Sequence, residues 1–233
     1  MTERPSAENP PPAVTLSLPF TGRWVARNSP ARRVPSHGTD LLGSRYAIDL
    51  IAVDDRRRTA TRRDWRTVLA TEPPERFRAY GRPILAPAGG VVVVAHDGEA
   101  DHVARRSLPA LVPYMAGQAG RLEHGVGAIA GNHVILALPD GDAFVALVHL
   151  RAGSVRVTVG EEVTTGQPLA ECGNSGNSTQ PHVHVQVMDR ADVATAQGIP
   201  IAFRDFHEWP RGARRPVRRA SGVPGEGAVV EPA

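Results

Sequence analysis

The chain has 233 residues, enough for one substantial domain or two small ones. Of these residues 41% are hydrophobic but only 5% aromatic, which predicts an aliphatic core. Its 27 basic residues are all arginine. The lack of lysine excludes carriers of the biotinyl or lipoyl type, which need an acceptor lysine and whose fold the segment 157–171 would otherwise suit. The single cysteine, Cys172, excludes an intrachain disulfide, and we interpret it as a small buried filler.

The two ends of the chain differ in composition from its centre. Residues 1–13 are rich in Pro, Glu and Asn and predict a disordered segment without a signal-peptide pattern. No stretch approaches the roughly twenty apolar residues of a membrane span. Residues 207–233 predict a flexible basic tail, suited to weak contact with an anionic polymer or a membrane surface. Aromatic side chains are too scarce to indicate specific nucleic-acid binding.

Short β-patterned segments separated by glycine and proline turns lie between these ends. In chain order we predict strands over 14–20, 46–53, 83–94, 133–138, 143–150, 155–159, 168–171 and 183–188. A short helix is predicted around 63–70, within an arginine-rich excursion over 54–79. A second excursion covers 97–131. The pattern predicts an all-β domain over 14–206, in which antiparallel strands form a groove and the two excursions form its walls.

The segment 173–187 carries the densest pattern of the sequence. On a strand His182, His184 and Gln186 would share one side, and three alternating valines the other, which suits a core. Neutral imidazole both binds zinc and transfers protons near neutral pH. Glycine and asparagine permit tight turns, so we expect the preceding loop to present the histidines at a fixed angle. The loop residues are Gly173, Asn174, Gly176, Asn177 and Ser178.

Other places in the chain offer zinc-type ligands. Asp49 lies inside an apolar strand, where a carboxylate is costly unless it is paired or bound to a metal. His37 lies in a predicted loop, and His149 ends a predicted strand. Each histidine taken alone would more often be an ordinary solvated or hydrogen-bonded residue.

Taken together, these residues resemble the lysostaphin and LytM-like zinc endopeptidases, from about residue 21 to about 206. The family pattern runs His-Leu, Gly-x-x-Val-x-x-Gly-Gln, Gly-Asn-Ser-Gly-Asn-Ser and Pro-His-x-His. The chain supplies these at 149–150, 160–167, 173–178 and 181–184. The resemblance implies an all-β fold of the barrel-sandwich hybrid type with long surface loops.

The resemblance also implies roles for the histidines and the aspartate. His184 and Asp49 would bind one Zn²⁺ per chain, and His149 and His182 would handle protons and stabilise the oxyanion. Most relatives place a histidine four residues before the ligating aspartate, where this chain has Arg45, which cannot bind zinc because it stays protonated. The third ligand would then be His37. An alternative set uses His37 with Asp40.

The implied activity is hydrolysis of peptide bonds in peptidoglycan stem peptides or cross-bridges through a zinc-bound water. The implied place of action is extracytoplasmic. The alternative is a degenerate relative that has lost zinc and acts as a binding or regulatory module. Retention of His149, His182 and His184 favours the enzyme.

Overall fold

The structure, a computed structural model, describes residues 12–116 and 126–233. The disordered segment predicted for 1–13 therefore lies, apart from its last two residues, outside the described residues. The described part is mainly strand, which confirms the predicted all-β class. Its strands are β1 (Val14–Leu16), β2 (Trp24–Arg27), β3 (Ile48–Ala52), β4 (Pro83–Leu85), β5 (Gly90–His96), β6 (Asn132–Ala137), β7 (Phe144–Leu150), β8 (Glu162–Val163), β9 (Pro168–Glu171), β10 (Val183–Met188), β11 (Gly198–Ile199), β12 (Ile201–Trp209), β13 (Val217–Gly222) and β14 (Val229–Pro232).

The helical elements are short. They are α1 (Trp65–Leu69), α2 (Leu108–Ala116), α3 (Val126–Ala130), and 3-10 turns over Leu41–Tyr46 and Pro74–Arg76. The helix expected around 63–70 is confirmed as α1, where the Asp64 side chain caps the N-terminus by accepting from the Arg66 amide. Within the described residues no helix is long and apolar enough to cross a membrane.

Most strands form one open sheet with the order β1-β12-β14-β2-β3-β10-β7-β6-β5-β8. Neighbours are antiparallel except β1 and β12, which pair in parallel. The short strand β11 pairs with β10, and β13 pairs with β12. Strands β4 and β9 form a separate two-stranded sheet.

Strand β10 shows why this sheet has one buried face and one functional face. Val183, Val185 and Val187 are almost fully buried in the main core cluster. That cluster also takes in Ile84 of β4 and Leu169 of β9, so the small sheet packs against the large one. Because side chains alternate along a strand, His184 and Gln186 point to the opposite face. Cys172 is buried in the same cluster, as expected of a filler.

Most of the predicted strands are present, but one prediction was wrong. Residues 155–159 form no strand; Val157 is buried, and the Arg156 amide bonds the Leu169 carbonyl as an isolated contact. The valine alternation there reflects a segment lying over the core rather than strand pairing. Strand β2 and the strands after residue 197 were not predicted.

The flexible tail predicted for 207–233 is also wrong. Strand β14 lies between β12 and β2 inside the main sheet, and Val229 and Val230 are buried. Strand β13 pairs with β12 over Phe203–Glu208, and Arg219 forms an ion pair of 2.8 Å with the buried carboxylate of Glu208. Backbone hydrogen bonds to β12 hold this arginine-rich segment in strands, although its sequence shows little apolar periodicity.

Replacing Val230 with alanine tests the place of β14 in the fold. Val230 is fully buried, so Val230→Ala should lower the free energy of unfolding by about 2 kcal/mol. Val217→Ala, at a 47% exposed position of β13, should change it by less than about 0.5 kcal/mol. Denaturant unfolding measures both. Equal and small effects would contradict the packing of residues 229–232 into the sheet.

Candidate metal centre

Two central strands place Asp49 and His184 side by side. Asp49 of β3 and His184 of β10 are directly opposite residues of an antiparallel pair, so their side chains share a face. The His184 Nδ1 atom lies 3.0 Å from Asp49 Oδ1. On the other side of β10, strand β7 pairs Val148 with His184, which brings His149 to the same end of the sheet.

His37 reaches the pair from the segment between β2 and β3. Its Nε2 atom lies 3.2 Å from Asp49 Oδ1, and its ring centroid is 4.8 Å from that of His184. The ligand atoms of His37, Asp49 and His184 all lie within 4.8 Å of one another. The structure thus brings together the three residues that the resemblance implied as ligands.

Asp40, the alternative carboxylate, lies elsewhere. It is exposed, and its Oδ1 atom accepts a hydrogen bond of 2.7 Å from Arg45. It is not part of the cluster around Asp49. Arg45 stands where most relatives are expected to carry a histidine, and its side chain forms this surface ion pair with Asp40.

The hydrogen bonds of His37 determine which of its nitrogens is free. The Ser36 hydroxyl donates to the Ser44 carbonyl at 3.2 Å, so at 3.0 Å it can accept from His37 Nδ1–H. That arrangement leaves the lone pair of Nε2 directed at Asp49.

Gln186 determines the tautomer of His184 in the same way. The Gln186 Nε2 group donates to the Leu42 carbonyl at 2.7 Å, so its Oε1 atom faces His184 Nε2 at 2.8 Å. His184 must therefore carry its proton on Nε2 and present the lone pair of Nδ1 to Asp49. Histidine ligands of metals usually donate their other ring N–H to such an acceptor.

The Asp49 carboxylate is held in its ionised form. Its Oδ2 atom accepts a 2.7 Å hydrogen bond from Asn28, whose φ of 47° lies in the left-handed region that asparagine tolerates. Burial alone would raise the pKa of Asp49, but the neighbouring imidazoles of His182 and His37 hold it well below its ordinary value. Oδ1 remains directed at the histidines.

This donor set fits a metal ion. Two imidazole lone pairs and one carboxylate oxygen converge, and such acceptors repel one another unless a cation or a proton lies between them. Two nitrogens and an oxygen are a set that zinc accepts in catalytic sites.

His149 and His182 form a second pair of imidazoles beside the three ligand candidates. Their ring centroids lie 4.7 Å apart. His149 Nδ1 bonds the Ser175 carbonyl at 2.9 Å and His182 Nδ1 bonds the Gln180 carbonyl at 2.8 Å, so Nε2 is the nitrogen left free of a backbone partner on each ring. His149 adopts a φ of 65°, a backbone strain of the kind that clusters at functional sites.

The two rings differ electrostatically. Burial lowers the pKa of His149 well below its ordinary value, and the neighbouring His182 and His184 lower it further. Burial would also lower the pKa of His182, but the Asp49 carboxylate, 3.5 Å from its Nε2, raises it above the ordinary value. One imidazole is therefore held neutral and the other is more easily protonated.

The predicted loop before His182 is ordered by side chains more than by unusual backbone angles. Within this loop only Gly176 has a positive φ, of 66°. Gly173 is needed for close approach, since a Cβ atom there would collide with the backbone of Arg151. The amide group of Asn174 donates to the His102 carbonyl, and the Ser178 hydroxyl lies 2.8 Å from Asn174 Oδ1. The backbone N–H of Asn177 donates to the Ile129 carbonyl at 2.8 Å.

All five candidates border one cavity of about 390 Å³. Its apolar lining residues include Leu41, Leu42, Ile129, Ala130 and Val148. The excursion over 97–131 thus supplies part of a wall, as expected. The excursion over 54–79 contributes no lining residue; it packs instead against 104–107 through Glu72, so its predicted role as a wall is wrong.

Sequence reasoning missed two polar residues that orient the site, Asn28 and Ser36, and assigned no role to a third, Gln186. Gln186 was placed on the histidine face by strand alternation, but its bond to Leu42 depends on the fold. Asn28 and Ser36 sit in segments without any local pattern.

Removal of the Gln186 amide tests this orientation. Gln186→Leu should lower the affinity for Zn²⁺ by roughly 10- to 100-fold, because His184 loses the acceptor that fixes its tautomer. Competition with a chelating indicator measures the affinity. Val193→Ala shortens an apolar residue that lines the same cavity and removes no polar atom, and should leave the affinity unchanged. Equal losses in both variants would show that packing, not the hydrogen bond, matters.

Comparison with known proteins agrees with the residues at the site. Residues 109–196 match the model of Peptidase family M23. No curated protein matches the chain. Among solved structures, the chain is similar to pseudoalterin, an M23 metalloprotease from the deep sea (TM-score 0.42, 12% identity, 81% of this chain and 76% of that one). It is also similar to the catalytic domain of lysostaphin from Staphylococcus simulans (TM-score 0.39, 19% identity, 76% and 88%). A third is the catalytic domain of a mutant of the prophage-encoded M23 protein EnpA from Enterococcus faecalis (TM-score 0.37, 19% identity, 66% and 73%).

The segment matched by the family model runs from α2 to beyond β10. It contains His149, His182 and His184, whereas His37 and Asp49 come from strands and loops upstream. Over residues 109–196 the chain is thus similar to members of Peptidase family M23.

Proposed function

We propose that the chain is a zinc-dependent endopeptidase that hydrolyses peptide bonds in peptidoglycan stem peptides or cross-bridges. His37, Asp49 and His184 would hold one Zn²⁺, and His149 and His182 would be the catalytic imidazoles. The observation that carries the proposal is the convergence of three oriented ligand atoms beside a pair of buried imidazoles in one cavity. Because peptidoglycan lies outside the cytoplasmic membrane, the proposal includes an extracytoplasmic place of action.

A zinc ion bound here would supply a Lewis acid able to activate water and polarise a carbonyl group near neutral pH. The protein's own part is to hold proton-transfer groups close to the same point. With Nδ1 of each ring bonded to a carbonyl, His149 and His182 can use Nε2 to accept a proton from the attacking nucleophile and to donate one to the leaving amine. A protonated imidazole also stabilises an oxyanion.

The cavity is suited to a peptide with small, uncharged groups around the scissile bond. Asp49 is the one acidic residue among its lining residues, and no arginine lines it. The strands and turns that border it would orient the extended substrate.

The ligand set can be tested with two matched aspartate variants. Asp49→Asn and His184→Ala should each lower zinc affinity by at least about 100-fold and abolish cleavage, since an outer-shell change alone costs 10- to 100-fold. Asp40→Asn should retain both. The measurements are zinc per chain by elemental analysis and cleavage of peptidoglycan peptides by mass spectrometry. Retained zinc in Asp49→Asn with loss in Asp40→Asn would reverse the assignment.

The catalytic pair should behave differently from the ligands. His149→Ala and His182→Ala should each keep zinc near one per chain but lower kcat by about 100- to 1000-fold, because each removes one proton-transfer or oxyanion group. Loss of zinc in either variant would make that residue a ligand. A wild-type protein that binds no zinc and cleaves no peptide would favour the non-catalytic binding module.

A further inference from the structure

Two short helices present large apolar side chains to solvent. On α1 these are Trp65, Val68 and Leu69, spaced as on one face of a helix, and on α2 they are Leu108 and Val112, one turn apart. All five are between 55% and 72% exposed. We call these five residues the helical face. Single exposed apolar residues are ordinary, but five of them on two helices that lie next to each other indicate an interaction site.

The helical face stands on a rigid base. The chain segments that lead into and out of the helices pair through the backbone of Glu72 and Ala104. The fully buried Glu72 carboxylate binds Arg106 in two bonds of 2.8 and 2.9 Å, and the Ser107 hydroxyl bonds the Ala70 carbonyl, tying the two helices together. The exposure of the face therefore follows from how the two helices are held.

Arginines border the helical face. Arg62, Arg63 and Arg66 are all exposed, and the Arg66 guanidinium lies 5.3 Å from the Trp65 ring. Among the residues that the structure describes, Arg63 and Arg66 form no ion pair. The nearby carboxylate of Asp64 is bound by Arg76 at 3.0 Å, with Arg62 at 3.9 Å. The border is therefore positively charged around an apolar centre.

We propose that the helical face docks on the surface of an anionic lipid bilayer. Tryptophan and leucine side chains enter the interface between headgroups and acyl chains, while arginines bind lipid phosphates. Each such arginine contributes roughly a fivefold gain in binding to an anionic surface. An apolar protein surface would account for the apolar residues but not for the exposed arginines around them, whereas an acidic protein would not distinguish anionic from neutral vesicles in the test below. This surface is distinct from the arginine-rich C-terminal strands.

Helix α2 is also connected to the loop that precedes His182. The Tyr114 hydroxyl of α2 donates to the Gly176 carbonyl at 3.2 Å, and the next residue, Asn177, lines the cavity. His102, just ahead of α2, contacts the same carbonyl at 2.7 Å. Hydrogen bonds thus join α2 and the segment ahead of it to the loop that leads to His182.

The wild-type protein can be tested with vesicles of stated composition. It should co-sediment with phosphatidylglycerol vesicles at low salt and much less with phosphatidylcholine vesicles. Trp24 is fully buried and Trp209 is stacked under Arg23, so Trp65 should dominate any change in fluorescence. Its emission should shift to shorter wavelength and resist acrylamide quenching when vesicles are added.

Matched variants separate the helical face from general basicity. Leu69→Asp and Val112→Asp should each weaken vesicle binding about tenfold or more, whereas Val159→Asp, at a 66% exposed position elsewhere, should not. Replacing both Arg63 and Arg66 with Gln should weaken binding about 25-fold, whereas the same change at Arg214 and Arg215 should have a much smaller effect. Unfolding midpoints check that each variant is folded.

Three outcomes would overturn the proposal. The first is the absence of binding to anionic vesicles. The second is equal loss of binding in the Arg63/Arg66 and Arg214/Arg215 variants, which would assign binding to total charge. The third is a Trp65 that is already shielded in solution. If sedimentation velocity then showed a dimer that Leu69→Asp dissociates, a second copy of the chain would be the partner of the helical face.

Discussion

The candidate centre depends on the orientation of three lone pairs in a desolvated space. Asp49, His184 and His37 could each be satisfied separately by ordinary hydrogen bonds, but the protein commits their other polar atoms elsewhere. Asn28 takes the second oxygen of the carboxylate, and the Gln186 and Ser36 side chains take the N–H of the two rings. The atoms left over, Nε2 of His37, Nδ1 of His184 and Oδ1 of Asp49, point to one place. This arrangement is stable only if a positive charge can occupy that place, which is the physical basis for regarding the cluster as a metal centre.

The sheet supplies this arrangement through the pairing of neighbouring strands. Strands β3, β10 and β7 are adjacent, and their register sets Asp49, His184 and Val148 in one row. One face of these strands packs into an aliphatic core, to which the small sheet of β4 and β9 also contributes. The other face receives the turn over Leu41–Tyr46, where Leu42 adopts a φ of 57° and offers its carbonyl to Gln186. Core packing thus fixes the positions of the strands, and the turn fixes the orientation of a ligand.

The sequence predicted the centre of this sheet better than its periphery. Strands β7 and β10 combine dense β-branched residues with alternation, so local pattern and tertiary structure agree. Strand β13 is exposed along nearly its whole length and exists through backbone bonds to β12, so no apolar pattern could reveal it. The histidines and Asp49 were recognisable because an imidazole pair on a strand and a carboxylate in an apolar run are unusual. Asn28, Ser36 and Gln186 are ordinary residues whose importance comes from partners distant in the chain.

The position of β14 bears on the order in which the sheet is assembled. Residues 229–232 close the gap between β12 and β2, and β2 is the strand against which β3 is paired. Until β14 is in place, β2 has an open edge, although it is close to β3 in the chain. Pairing between strands so distant in sequence forms late in folding. The strand that carries Asp49 therefore gains its full lateral support only when this late pairing is complete.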